Sequence, residues 1–169
     1  DDDSLDSVLR SIRDHGAGDE VYVHERIGLT GRLDTIQAAV LLSKLGIFDQ
    51  ELEERQGVAE RYSHALRDFV ATPTLEPGIE SVWAQYTVQV DDRERVRAEL
   101  LEGGVPTAVF YPQPLHEAPA YQSHSVVPGG VVVAERISGR VVSLPMHPYL
   151  GEVEEDWVIS ALRKALAPK

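Results

Sequence analysis

The feature that most constrains this chain is a change of hydrophobic rhythm part-way along it. Tyr86, Val88 and Val90 alternate strictly with Gln85, Thr87 and Gln89. That period of two belongs to a half-buried strand of the antiparallel kind. Before it the apolar residues fall at helical spacing instead. The sequence therefore predicts a helical first part, followed by a small α+β layer in which strands and helices alternate.

Residues 4–14 read as a short helix with Leu5, Val8, Leu9 and Ile12 on one stripe, ended by His15-Gly16 and Gly18. Residues 15–32 form a polar, glycine-containing loop, and a loop of that length in a compact domain is often functional. A second helix starts near Asp34, with Gln37 placed for a capping box. From Ile36 to Leu45 it is apolar on nearly every side, which predicts burial all round. Gly46 and Asp49 break it. A longer helix covers about 50–70, with a stripe of Leu52, Ala59, Tyr62, Leu66 and Phe69, and with Glu51 and Arg55 at i,i+4 on the charged face. Pro73 and Pro77 then mark a candidate domain boundary.

Beyond the alternating strand, Asp91 with Glu94 is placed to cap a helix over about 92–102 that stops at Gly103-Gly104. Val105 to Phe110 reads as a second strand. Residues 111–130 hold four prolines and read as irregular. A short helix over about 131–139 leads to a third strand, Arg140 to Leu144. A last helix, about 152–166, is expected to turn Trp157, Val158, Ala161, Leu162 and Ala165 inward.

Composition removes several classes of function. With 28 acids against 16 bases the formal net charge is −12, so phosphate backbones are repelled and nucleic acid is not an expected partner. No apolar run approaches the roughly 20 residues of a membrane span. The chain has no cysteine, which excludes disulfides, thiolate metal sites and Cys nucleophiles and fits a cytoplasmic protein. His15, His24, His64, His116, His124 and His147 are scattered without metal-like spacing, so no metal site is expected and surface or loop roles are assigned to them. The acid pairs Glu53-Glu54 and Glu154-Glu155 read as solvated helix faces. None of the self-contained catalytic motifs is present. The chain opens Asp1-Asp2-Asp3 without an initiator methionine, as expected of a sequence that begins inside a longer gene product.

Five segments in order carry a family likeness. They are Ile27-Gly-Leu-Thr-Gly-Arg-Leu-Asp-Thr-Ile-Gln-Ala-Ala39, flanked by Leu9-Arg-Ser-Ile-Arg-Asp-His-Gly16 and Leu41-Leu-Ser-Lys-Leu45; Ser81-Val-Trp-Ala-Gln-Tyr-Thr-Val88; Val105-Pro-Thr-Ala-Val-Phe-Tyr-Pro112; Pro114-Leu-His116; and Ser143-Leu-Pro-Met-His-Pro148. Together they resemble the DegT/DnrJ/EryC1/StrS family, the sugar aminotransferases of fold type I, over nearly the whole chain. The wording of 33–39 and 83–86 looks most like the branch acting on UDP-linked 3-keto uronic acids.

The resemblance implies an α/β fold: the carboxy-terminal part of a fold type I transferase, with a small α+β domain carrying an antiparallel sheet. Residues 1–49 would be a helical remnant of the large cofactor-binding domain with its interface loop. Residues 50–76 would be an interdomain helix and linker, and 77–169 the small domain. Family enzymes hold pyridoxal 5'-phosphate on a lysine and move an amino group, usually from glutamate, to a ketone on a nucleotide-linked sugar. That lysine, and the aspartate facing the pyridinium nitrogen, lie upstream of the helix matching 4–14. The missing amino-terminal half is thus an expected partner, as is a second copy in a homodimer. Of the three lysines, Lys44 falls in a structural helix and Lys164 and Lys169 are terminal and solvated, so no catalytic residue is assigned.

By the same resemblance Thr30 stands where the family has an Asn that reaches the neighbouring subunit's cofactor phosphate. A hydroxyl is shorter and offers one donor where an amide offers two. Arg32 keeps the family's arginine, whose fork suits a carboxylate or phosphate; the alternative is a structural ion pair with an acid of the loop. Phe110 and Tyr111 match an aromatic-Tyr-Pro segment near the sugar, with Phe110 where some relatives have His. Two further readings stay open: a non-catalytic dimerisation or binding module, and a family dehydratase in which His replaces the cofactor lysine.

Overall fold

The computed structural model describes residues 2–20 and 22–167. The chain divides into two compact units, Asp1–Phe48 and Asp49–Lys169.

The first unit holds two helices, α1 (Asp3–Arg13) and α2 (Thr35–Leu45). Asp2 caps α1, its Oδ1 accepting from the backbone of Ser4 and Leu5 at 3.1 and 3.0 Å. At the start of α2 the Gln37 side chain accepts from the Asp34 backbone N–H at 3.3 Å, one arm of the expected capping box. Burial departs from expectation. No residue of either helix is buried. Ile36 is 81% exposed, and Leu41, Leu42 and Leu45 are exposed as well. An all-round apolar helix needs cover, and among the described residues of this unit none buries it. Leu33, Leu41, Leu42, Leu45 and Phe48 instead line an open groove of about 470 Å³.

Two helices and two strands build the core of the second unit, with α3 (Phe48–Leu66) along it. The strands β1 (Tyr86–Gln89) and β2 (Val141–Leu144) pair antiparallel, with Tyr86 opposite Leu144 and Val88 opposite Val142. The alternation that predicted β1 is real: Tyr86 and Val88 are buried while Thr87 and Gln89 are half-buried. The helices are α4 (Arg93–Glu102) and α6 (Glu152–Leu166), while α5 (Val132–Ser138) stands outside the core. Tyr62 and Leu66 of α3, Val96 and Leu100 of α4, and Val158 and Leu162 of α6 close over the strand pair. Each such aliphatic side chain contributes about 1.5–3 kcal/mol by leaving water. The helix expected to stand between domains, 50–76, falls within the second unit.

Several local readings need correcting. Val105–Phe110 is not a strand; only Ala108 pairs, exchanging bonds of 3.1 and 2.8 Å with Ser143. Pro106 has no N–H to extend that ladder. The α4 cap is Asp92 rather than Asp91, its carboxylate accepting from Arg95 N–H at 3.3 Å, while Asp91 pairs with Arg140. Trp157 is largely exposed and donates its indole N–H to Gly103 O at 2.9 Å. Phe69 is exposed too, beneath the Arg163 guanidinium at 4.5 Å. Lys164 is exposed, and Lys169 lies outside the described residues.

The largest correction is Glu155, expected in solvent and found 1% exposed. Arg61 donates to both its oxygens, from Nε and Nη2, at 2.5 Å each. This fork ties α3 to α6, and the bond from the Glu155 carboxylate holds the Arg61 guanidinium above its ordinary pKa. Next to it the Tyr62 hydroxyl, pushed up by burial, donates to Pro145 O at 3.1 Å.

Two outcomes are expected. Arg61→Met leaves a buried carboxylate without its partner and should destabilise the chain by about 2–4 kcal/mol, while Arg61→Met with Glu155→Leu should recover most of that loss; urea unfolding of the three proteins measures both. The bare face of α2 should drive the isolated chain to self-associate. Sedimentation velocity should show species above the monomer that Leu41→Lys with Leu42→Lys dissolves. A monomer at high concentration before any substitution would contradict this.

Candidate functional site

Thr30 and Arg32 lie in the first unit, on a segment laid against the end of α1. Leu29 N–H bonds Ile12 O at 2.8 Å, His15 N–H bonds Leu29 O at 3.0 Å, and Gly31 N–H bonds Arg13 O at 2.8 Å. This ladder, with Asp14 and Thr30 as an antiparallel bridge, gives residues 28–32 a fixed path without a named strand. Two glycines permit the approach. A Cβ at Gly16, where φ is +75°, would sit 1.8 Å from Arg26 O, and one at Gly28 would sit 2.1 Å from Gly16 N. Between them the loop folds back so that Ala17 and His24 bridge.

The side chains on this seam are polar and open to solvent. The Thr30 hydroxyl lies 3.4 Å from each ring nitrogen of His15. His15 itself is at φ +60°, and its carbonyl faces His24 Nδ1 at 3.1 Å. Arg32 donates through Nη1 to Asp14 Oδ1 at 2.5 Å, with both side chains nearly half exposed. The acid that Arg32 meets is thus Asp14, the C-cap residue of α1, rather than one of the acids within the loop 15–32. Sequence reading missed Asp14 and His15 as neighbours of the two site residues. The signal was the pair of glycines at 16 and 28, which marks where the loop returns.

Phe110 and Tyr111 belong to the second unit. Their rings meet edge to face with centroids 5.8 Å apart, and both are exposed, Tyr111 at 71%. Phe110 helps to line a groove of about 320 Å³ beside Gln85, Thr107, Ser143 and Met146. On that side of the sheet the Thr87 and Ser143 hydroxyls meet at 2.8 Å. The loops near this groove are held by α3. Arg55 donates to Trp83 O at 3.0 Å and to Met146 O at 3.4 Å, and Trp83 donates its indole N–H to Gln56 at 2.8 Å.

One cluster runs against the expectation that the histidines have no metal-like grouping. His116, Glu117 and Glu135 bring ligand atoms within 4.8 Å of one another. His116 Nε2 already faces Glu135 Oε1 at 3.2 Å and both acids are exposed, so that direct side-chain contact accounts for the grouping.

Known proteins resemble this chain along nearly its whole length. The model of the DegT/DnrJ/EryC1/StrS aminotransferase family matches residues 1–163. A UDP-2-acetamido-2-deoxy-3-oxo-D-glucuronate aminotransferase of Pseudomonas aeruginosa is 44% identical over 162 residues, covering 95% of this chain and 44% of the relative. The erythromycin biosynthesis sensory transduction protein EryC1 of Saccharopolyspora erythraea is 35% identical over 164 residues, covering 96% of this chain and 44% of that protein. Among solved structures, a DegT DnrJ EryC1 StrS aminotransferase from Brucella abortus matches with a TM-score of 0.84 and 46% identity, over 96% of this chain and 44% of the other. The chain spans less than half the length of the relatives it matches. On this evidence it belongs to the DegT/DnrJ/EryC1/StrS aminotransferase family.

Proposed function

We propose that this chain is the carboxy-terminal part of a pyridoxal-phosphate-dependent aminotransferase. In this reading it transfers an amino group from glutamate to a UDP-linked 3-keto uronic acid, for cell-surface polysaccharide or glycosylated natural products. The first unit is then part of the large cofactor-binding domain, and the protein acts as a cytoplasmic homodimer. The observation that carries the reading is an exposed arginine fork at Arg32 in a chain 44% identical to a protein named for a 3-oxo-glucuronate substrate.

The residues fit a supporting part around the cofactor. The Thr30 hydroxyl is exposed on a fixed backbone, as a phosphate donor must be. Pyridoxal phosphate, when bound, supplies the electron sink for amino transfer. This chain's residues bind and orient around it. Thr30 offers a hydrogen bond to a phosphate oxygen, Arg32 holds the carboxylate of the sugar, and Phe110 and Tyr111 offer ring surfaces to the sugar nucleotide. Such positioning turns a bimolecular encounter into an oriented one.

Two experiments test this. Mixed with pyridoxal phosphate and reduced with borohydride, the isolated chain should be labelled at no specific residue, because ordinary lysines near pKa ~10.4 are poor amine nucleophiles at neutral pH. Stoichiometric labelling of Lys44 would overturn the assignment of the cofactor lysine to a segment upstream. In the full-length enzyme, Arg32→Lys should lower kcat/KM about tenfold to a hundredfold with cofactor absorbance unchanged, since lysine keeps the charge and loses the fork. Thr30→Val should instead weaken cofactor binding. Mixed dimers of an Arg32 variant and a cofactor-lysine variant should regain one working site per dimer. No recovery would mean that Arg32 serves its own subunit or no site.

A further inference from the structure

The ion pair at Arg32 is one-sided. Asp14 Oδ1 takes Nη1 alone. Nη1 is on the far side of the guanidinium from the Nε–H bond, so the Nε–Nη2 edge carries two parallel donors that this contact does not use. That edge is the one that suits a carboxylate or phosphate in bidentate fashion. No partner for it appears among the described residues. A half-exposed ion pair contributes little to stability, because solvent screens it and both side chains lose freedom. Its consequence is geometric. A free arginine side chain samples many rotamers, and every one it loses on binding weakens the grip.

Both ends of the pair are fixed by backbone. Asp14 terminates α1, with its N–H bonded to Ser11 O at 3.0 Å. Gly31, directly before Arg32, is tied to Arg13 O at 2.8 Å, directly before Asp14. The carboxylate thus approaches the guanidinium from a defined side.

We propose that Asp14 is a positioning residue for Arg32: it holds the guanidinium by Nη1 and presents the Nε–Nη2 edge to the anionic group of the ligand. The proposal rests on the reading of Arg32 as the carboxylate-binding residue and adds to it a residue 18 positions away, on another element. It also assigns Asp14 a sign. A carboxylate beside an anion site would ordinarily repel the ligand. Here the carboxylate meets the guanidinium at Nη1 alone, and the proposal requires the gain in orientation to exceed that repulsion.

The test uses the full-length enzyme and two acceptors, a UDP-linked 3-keto uronic acid and its neutral counterpart with a hydroxymethyl group in place of the carboxylate. Asp14→Asn should raise KM for the uronic acid about tenfold with kcat within about twofold. KM for the neutral acceptor should not move, and Asp14→Glu should restore most of the lost affinity. A general structural defect would instead shift both acceptors alike, and that result overturns the proposal. A lower KM for the uronic acid in Asp14→Asn would overturn it too, because Asp14 would then be a competitor for the guanidinium. Arg32→Lys separates the two levels. If it raises KM for the uronic acid while Asp14→Asn does nothing, the assignment of Arg32 stands and that of Asp14 falls. If Arg32→Lys leaves KM for the uronic acid unchanged, both fall.

Discussion

The Glu155 carboxylate lies out of water in the first turn of α6, and a buried charge is costly unless a partner meets its oxygens. Arg61 is that partner, and because it comes from α3 it decides where the long helix lies. Once α3 is held there, its neighbouring residues find their places. Tyr62 reaches Pro145 O, and Ser63 meets the Tyr86 hydroxyl at 2.8 Å. About two turns earlier, Arg55 caps two carbonyls in the loops that follow β2 and precede β1. A two-stranded sheet is marginal by itself in water. Here its strands are paired, covered by helices and pinned at their ends from a single helix.

The first unit works differently. Among the described residues it has no buried apolar side chain, and Gly16 is its one buried residue. Its order comes from backbone hydrogen bonds between the end of α1 and residues 29–31, allowed by glycines where a side chain would collide. Short-range bonding of this kind fixes the local path of the loop while leaving the apolar face of α2 without a core.

This contrast explains what the sequence made legible. Helices, the β1 alternation and the glycine stop of α4 follow from neighbours within a few residues, and each stands near where the pattern put it, although α3 ends at Leu66 rather than near 70. The exposure of Glu155, Ile36 and Trp157 does not: Glu155 is covered by an arginine 94 positions away, Ile36 stays exposed, and Trp157 stays exposed with its indole N–H on the Gly103 carbonyl. The family was readable from the wording of 27–39, the segment that holds Thr30 and Arg32. The grouping of those residues with Asp14 and His15 was not, since 15–32 carries no periodicity to reveal the return of the loop.

A division of labour follows from these two kinds of order. A core needs many side chains at once, so the apolar face of α2 gains its stability only when something lies over it. The seam at 12–32 needs only its own backbone, and it sets the spacing of Thr30 and Arg32 whether or not α2 is covered. Preorganised groups bind without further loss of conformational freedom. A segment that is to serve another surface gains from being shaped before it meets that surface. The backbone bonds along α1 give this loop such a shape, while Thr30 and Arg32 keep their polar groups in solvent.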